Sequence, residues 1–327
     1  MDTMNFLVPE ITQADLVTFA VDRVNLKQDD AAKYRTQVNN LREDLNRYIE
    51  QNPDFDLEKI MLSGSLAKGT ALKTLRDVDV ALYIKGGNAP QEIAKLLPWI
   101  VGKLRTTYPQ IPYANIYVDG PCVVIKFRGT GIDIEIVPVF SIGDPNGRGY
   151  LWDRSTGKKV LTSIPQHLDF IRSRKEKHAV HYAQVIRLLK WWIRQREKDT
   201  VDFAFRSFLA ELIAAKLADD GADFSDYHTA LEAVFTYIQN SGLRERIAFT
   251  DYYKASALPA KGLAPVEIFD PVTADNNVAD NITESGRRKI VELAGQALDA
   301  LAYARTCQTK GEAIECWREL MGATFNA

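Results

Sequence analysis

Between Asp29 and Gln51 the apolar residues Tyr34, Val38, Leu41, Leu45, Tyr48 and Ile49 recur at steps of three and four, which puts them on one face of a helix. The spacing predicts a long amphipathic helix over 29–51. After the polar turn NPDFD the period changes. Short runs at 59–63 (KIMLS), 79–84 (DVALYI), 115–118 (NIYV), 121–127 (PCVVIKF) and 132–140 (IDIEIVPVF) are rich in β-branched residues and read as strands. Gly129-Thr130-Gly131 reads as a hairpin turn between the last two. The following stretch, SIGDPNGRGYLWDRSTGKK, is dense in Gly, Asp and Pro and reads as a loop leading to a second lobe. Beyond it the pattern is helical: over 178–198 Val185, Leu188, Leu189, Trp192 and Ile193 share a face, and 205–217, 226–240 and 285–307 continue in the same way. The expected architecture is α+β, with a mixed-sheet lobe carrying a long N-terminal spine helix over 1–160 and a mainly α-helical lobe over 161–327. No internal repeat or low-complexity tract interrupts it.

Composition narrows the chemistry. The 327 residues are enough for a substantial core. With 41 basic and 43 acidic residues and a pI near 6.2, the chain lacks the charge to wrap long nucleic acid by electrostatics alone. A small phosphorylated substrate in a local cationic pocket remains compatible. Cys122, Cys307 and Cys316 show no CxxC spacing and no histidine set beside them, so neither a disulfide framework nor a zinc module is expected. The start, MDTMNFLVPEITQADL, has no basic region followed by an apolar one, and no stretch reaches the length of a membrane span. The expected location is the cytoplasm, with no membrane.

The acids on the strands carry the chemistry. Asp77 and Asp79 flank Val78, so on a strand they share a face, about 7 Å apart at Cα. Like charges so placed cost energy unless a cation sits between them, and two carboxylates at this spacing suit hard divalent ions for phosphoryl chemistry. Gly64 and Ser65, just after KIMLS, form a candidate anion turn in which backbone amides and the serine hydroxyl cradle a phosphate, with Lys68 adding charge. Asp133 and Glu135 repeat the spacing on IDIEIVPVF, opposite in direction to Ile132, Ile134 and Ile136; either is a candidate third acid. Asp54 and Asp56 have the same spacing but no anion turn before them, and read as turn and cap residues. RSRKEK at 172–177 reads as a solvated helix entry.

Gly64-Ser65, then Asp77-Val78-Asp79, then an acidic strand ending in Val137-Pro138-Val139-Phe140, resembles the polymerase-β-type nucleotidyltransferases. Within them it is most similar to the bacterial cGAS/DncV-like nucleotidyltransferases and the related oligoadenylate synthetases, over most of the chain. VIRLLKWWIRQ resembles the helix whose lysine contacts nucleotide phosphates, here Lys190. FRSFLAEL resembles the helix whose serine touches the triphosphate, here Ser207, and IFDPVTADNNVA resembles the oligoadenylate-synthetase-like segment through Asp270-Pro271 and Asn277-Val278. The resemblance selects Glu135 as third acid, three residues before the proline; many members have aspartate there, so Asp133 stays a candidate.

The resemblance implies template-independent nucleotidyl transfer with two Mg2+ ions, Mn2+ as a substitute, and ATP and other NTPs as substrates. The implied product is a cyclic di- or trinucleotide second messenger of antiphage signalling, adenine-containing and a candidate cyclic tri-AMP. A linear oligoadenylate or an RNA 3′-end extension is the alternative, and an inactive nucleotide-binding scaffold is the alternative of another class. Implied partners are a HORMA-domain protein with an AAA+ ATPase, or ubiquitin-transfer-like proteins. The zinc insertion of cGAS is absent, since no Cys/His cluster exists.

Overall fold

A computed structural model describes residues 11–127, 131–153, 157–201 and 203–327. The helices are α1 (Gln13–Phe19), α2 (Gln28–Gln51), α3 (Gly64–Lys68), α4 (Ile93–Thr107), α5 (Ile164–Asp199), α6 (Ser207–Asp219), α7 (Tyr227–Ser241), α8 (Glu284–Ala304) and α9 (Lys310–Met321). The strands are β1 (Leu57–Leu62), β2 (Asp77–Ile84), β3 (Ile116–Asp119), β4 (Cys122–Lys126), β5 (Asp133–Ser141), β6 (Arg148–Trp152) and β7 (Lys159–Ser163). They form one mixed sheet in the order β1-β2-β5-β4-β3, and β6 pairs with the far end of β5 and with β7. β2 and β5 run parallel at the centre.

Strand alternation divides the faces of this sheet. Val78, Val80, Leu82 and Ile84 of β2, with Ile134 and Ile136 of β5, are buried against α2 and α4 through Leu41, Leu45, Leu97 and Ile100. The opposite face carries the acids, followed along each strand by a small apolar cluster of Ala81, Tyr83 and Val139. A second core joins α5 to α9 and takes in the N-terminal segment through Leu16, Phe19 and Val24. Phe19 packs against Trp191 and Phe325, with ring centroids 6.2 and 4.8 Å apart, so the two ends of the described chain meet in the helical part.

The stretch 141–159 is not the loop that its composition suggests. Arg148–Trp152 is β6 and Lys159 opens β7. Gly149 lies in register with Ser141, where a Cβ would fall 2.5 Å from the Phe140 carbonyl oxygen; it serves the close approach of two strands, not a turn. Of the expected turns, Gly129 and Thr130 lie outside the described residues, as do Arg154, Ser155 and Thr156 of this stretch. The helix expected to begin at 178 begins at Ile164, where Ser163 caps it by accepting from the Gln166 amide. It breaks at Ala179 (φ 49°), one residue beyond the expected start. RSRKEK therefore lies within a helix, and Arg174 is buried in ion pairs with Asp219 and Asp251 at 2.5 and 3.0 Å. Among the described residues no helix is long and apolar enough to cross a membrane.

Candidate active site

The parallel pairing of β2 with β5 sets Asp77 opposite Asp133 and Asp79 opposite Glu135, so all four acids rise from one face of the sheet at one end. Asp133 is engaged by Lys126 at 3.6 Å. Burial, reinforced by the charge of Asp77, pushes the Asp79 carboxyl above the usual carboxylate range, although Lys68 and Lys190 pull it back. Among the described residues no three His, Cys, Asp or Glu side chains are gathered into a ready-made metal cluster. Even so, the donors are hard oxygens and Asp79 is short of positive charge, so Asp77, Asp79 and Glu135 fit a hard divalent cation. The decoy pair is occupied otherwise: Asp54 holds Lys103 at 2.5 Å, and Asp56 accepts from the amides of Gly87 and Asn88 to close a turn.

Gly64 follows β1 and opens α3 with φ +62°, and a Cβ there would fall 2.5 Å from Asp79 Cγ and nearer still to its Oδ2. The turn and the acid are thus in direct apposition, which only a residue without a side chain permits. The Ser63 amide donates to the Asp79 carbonyl at 2.9 Å, tying the turn to β2. Ser65 is half-buried in α3.

Lys68, at the end of α3, reaches Glu211 of α6 at 2.8 Å, and Lys190 of α5 pairs with the same carboxylate. Thr70 completes the cluster, accepting from Lys190 Nζ at 2.8 Å and donating to Glu211 Oε1 at 3.2 Å. Burial alone would raise the Glu211 pKa, but the two ammonium groups overcome it and bring the pKa down to about 2. Lys190 goes the other way for a lysine: burial, with the charge of Lys68 nearby, outweighs Glu211 and Asp79 and lowers its pKa. Lys190 is therefore an interior lysine of an ion-pair network beside Asp79. Ser207 is exposed at the first position of α6, where Arg206 is the cap residue and makes no side-chain capping bond.

A cleft of about 640 Å³ opens beside these groups, lined by Ser63, Gly64 and Lys68 on one side. Leu151 and Val160 of the β6–β7 ribbon form a second wall, and His167, Arg206, Phe208 and the segment 273–280 belong to the helical part. Asp270 shapes that segment by accepting from the Val272 amide at 2.8 Å, and Asn277 by accepting from the Ile268 amide at 3.0 Å. Glu211, Thr70, His167 and the β6–β7 wall were not singled out from the sequence. Glu211 alone left a trace, as a lone charge between Leu209-Ala210 and Leu212-Ile213.

Residues 11–173 match the model of the Second Messenger Oligonucleotide or Dinucleotide Synthetase domain. The cyclic AMP-AMP-AMP synthase of Escherichia coli strain MS 115-1 is 42% identical over 310 residues, which is 95% of this chain and 96% of that protein. The chain belongs to this family of cGAS/DncV-like nucleotidyltransferases. The solved structure of CdnC from E. coli MS115-1 with ATP superposes on this synthetase with a TM-score of 0.93 at 41% identity, covering 97% of this chain and 99% of that one. The complex of that CdnC with HORMA-deltaN gives a TM-score of 0.92 over 97% and 99% at the same identity. The synthetase is thus a nucleotidyltransferase that makes oligonucleotide or dinucleotide second messengers, in a superfamily that depends on a divalent metal.

Proposed function

We propose that this nucleotidyltransferase joins three AMP units from ATP into cyclic tri-AMP, releasing one pyrophosphate per bond. The apposition of Gly64 with Asp79, opposite Glu135 across β2 and β5, carries the proposal for the site. The relative named for cyclic AMP-AMP-AMP carries it for the product. In each cycle an acceptor ribose hydroxyl attacks the α-phosphorus of ATP in line with the departing pyrophosphate.

Asp77, Asp79 and Glu135 would hold a divalent metal, Mg2+ in two positions with Mn2+ as a substitute, which supplies charge neutralisation at the phosphates and activation of the hydroxyl. Glu135 is preferred to Asp133 as third acid because it faces Asp79, whereas Asp133 meets Lys126. Gly64 and Ser65 steady the β- and γ-phosphates, and Lys68 adds charge from the cleft wall. Lys190 holds Glu211, which positions Lys68, and adds its own charge beside Asp79, and Ser207 stands at the rim beside Phe208. In the cell this reading places the enzyme in the cytoplasm as the signal-producing arm of antiphage defence. A HORMA-domain regulator is its proposed partner, by analogy with the CdnC:HORMA-deltaN complex, together with an AAA+ ATPase acting on that regulator.

The test incubates the enzyme and its HORMA-domain partner with α-labelled ATP and divalent metal, then treats with phosphatase. The expected result is a resistant product made by wild type and absent from Asp77→Asn/Asp79→Asn. Equal product from the variant would overturn the assignment of the acids.

A further inference from the structure

His167 occupies the cleft wall one aromatic ring away from the lysine at the anion turn. Its imidazole meets Phe208 edge to face at 5.9 Å between centroids, and Lys68 Nζ lies 4.6 Å from the centre of the same Phe208 ring. His167 Nε2 is 2.8 Å from Asp270 Oδ1. Burial opposes ionisation of Asp270, but His167, the Val272 amide and Asn276 together hold its carboxyl below the usual range. An ionised carboxylate can only accept, so the shared proton sits on Nε2. With Nε2 donating to Asp270, Nδ1 is the ring nitrogen left to a ligand, and in the neutral form of that tautomer it is an acceptor. Nδ1 has no hydrogen-bond partner among the described residues and is not sealed from solvent, and the ring forms part of the cleft lining.

We infer that His167, fixed by Asp270, is a nucleotide-recognition residue whose Nδ1 accepts a hydrogen bond from a donor on the nucleoside. The inference rests on the reading of the cleft as a nucleotide site. Two parts of ATP carry such a donor, the adenine amine and the ribose hydroxyls; phosphates carry none at neutral pH. The segment holding Asp270 lies 103 residues from His167 in the chain, so the pair also joins the helical wall of the cleft to the loop that faces it. A guanine, with a carbonyl oxygen where adenine has its amine, would set acceptor against acceptor and be disfavoured.

Two variants separate recognition from structure. His167→Gln can keep a donor toward Asp270 while removing the acceptor at the Nδ1 position; His167→Asn places an amide oxygen near that position while giving up the bond to Asp270. Binding of ATP, purine riboside triphosphate, 2′-deoxy-ATP and 3′-deoxy-ATP to the full chain is measured by calorimetry. Wild type must bind ATP, and failure at that step overturns the nucleotide reading itself. The expected result is that His167→Gln weakens ATP by about five- to tenfold, the worth of one hydrogen bond. The same variant should leave unchanged the one analogue that lacks the donor concerned, which identifies amine or hydroxyl as the source. His167→Asn should bind ATP more tightly than His167→Gln. Three results would overturn the inference: His167→Gln equal to wild type, an equal loss for all four nucleotides, or His167→Gln binding better than His167→Asn. The equal loss would mean a phosphate-facing or merely structural role.

Discussion

Gly64→Ala puts the apposition of turn and acid under direct strain. At φ +62° an alanine occupies the left-handed region at a cost of about 1–2 kcal/mol. That cost falls on the folded state alone. The new methyl would also overlap the Asp79 carboxylate, lying 2.5 Å from Cγ and 2.8 Å from Cβ, so either Asp79 turns away or the turn lifts from β2. Overpacking of this kind costs a further 1–3 kcal/mol or about that. Displacing a reacting group by about 1 Å can cost a hundredfold in rate. Urea denaturation should therefore show a loss of about 2–5 kcal/mol, and formation of phosphatase-resistant product should fall by about a hundredfold or more. Ser65→Ala, which keeps Cβ and the helical backbone of α3, serves as the comparison for loss of the hydroxyl alone. A Gly64→Ala enzyme within a few fold of wild type would refute the claim that Asp79 acts from the position it has here.

Glu211→Gln removes the carboxylate shared by the buried Lys190 and the part-buried Lys68, leaving them only the nearby charge of Asp79, and should lower unfolding free energy by about 3–5 kcal/mol, read from the urea midpoint. In wild type the Glu211 pKa is about 2 against an ordinary 4.5, so the unfolded chain takes up the proton first. The stability from this group is present above about pH 4.5 and is lost as pH falls towards about 2, a slope that Glu211→Gln should lack in acid titrations. Asp79→Asn should cut product formation by about 10²–10³-fold or more yet raise the urea midpoint of the metal-free protein. The sign follows because the folded state holds the Asp79 carboxyl above its ordinary range, so ionised Asp79 works against folding at neutral pH. Added Mg2+ should stabilise wild type and leave that variant nearly unmoved in the same melt. Asp56→Ala removes the acceptor for two turn amides and should cost about 1 kcal/mol with product formation within twofold of wild type.

The sequence exposes what local periodicity encodes. Asp77 and Asp79 stand out because two charges on an alternating apolar strand conflict with burial, whereas the placing of Glu135 opposite Asp79 comes from the parallel pairing of β2 with β5, a tertiary contact that local periodicity does not encode. The face of the α2 helix was legible for the same reason. The β6–β7 ribbon was not, because Gly149, which permits two strands to approach, looks like a turn glycine until the partner strand is known. Lys190 shows a different limit. Its place in the helix was readable, but its burial against Glu211 depends on α5 and α6 packing around α3, which no window of sequence displays. His167 and Asp270 meet only through the tertiary fold.

The central claim is most directly tested by the mass of the product made from ATP alone. The nucleotidyltransferase is incubated with ATP, Mg2+ and the HORMA-domain protein proposed above as its partner, the reaction is treated with phosphatase, and the surviving nucleotide is weighed and sequenced by mass spectrometry. A ring of three AMP units with no terminal phosphate is the predicted result. A linear oligoadenylate, degraded to free hydroxyl ends by the phosphatase, would contradict cyclisation, and a ring of another size or base would contradict the assigned product.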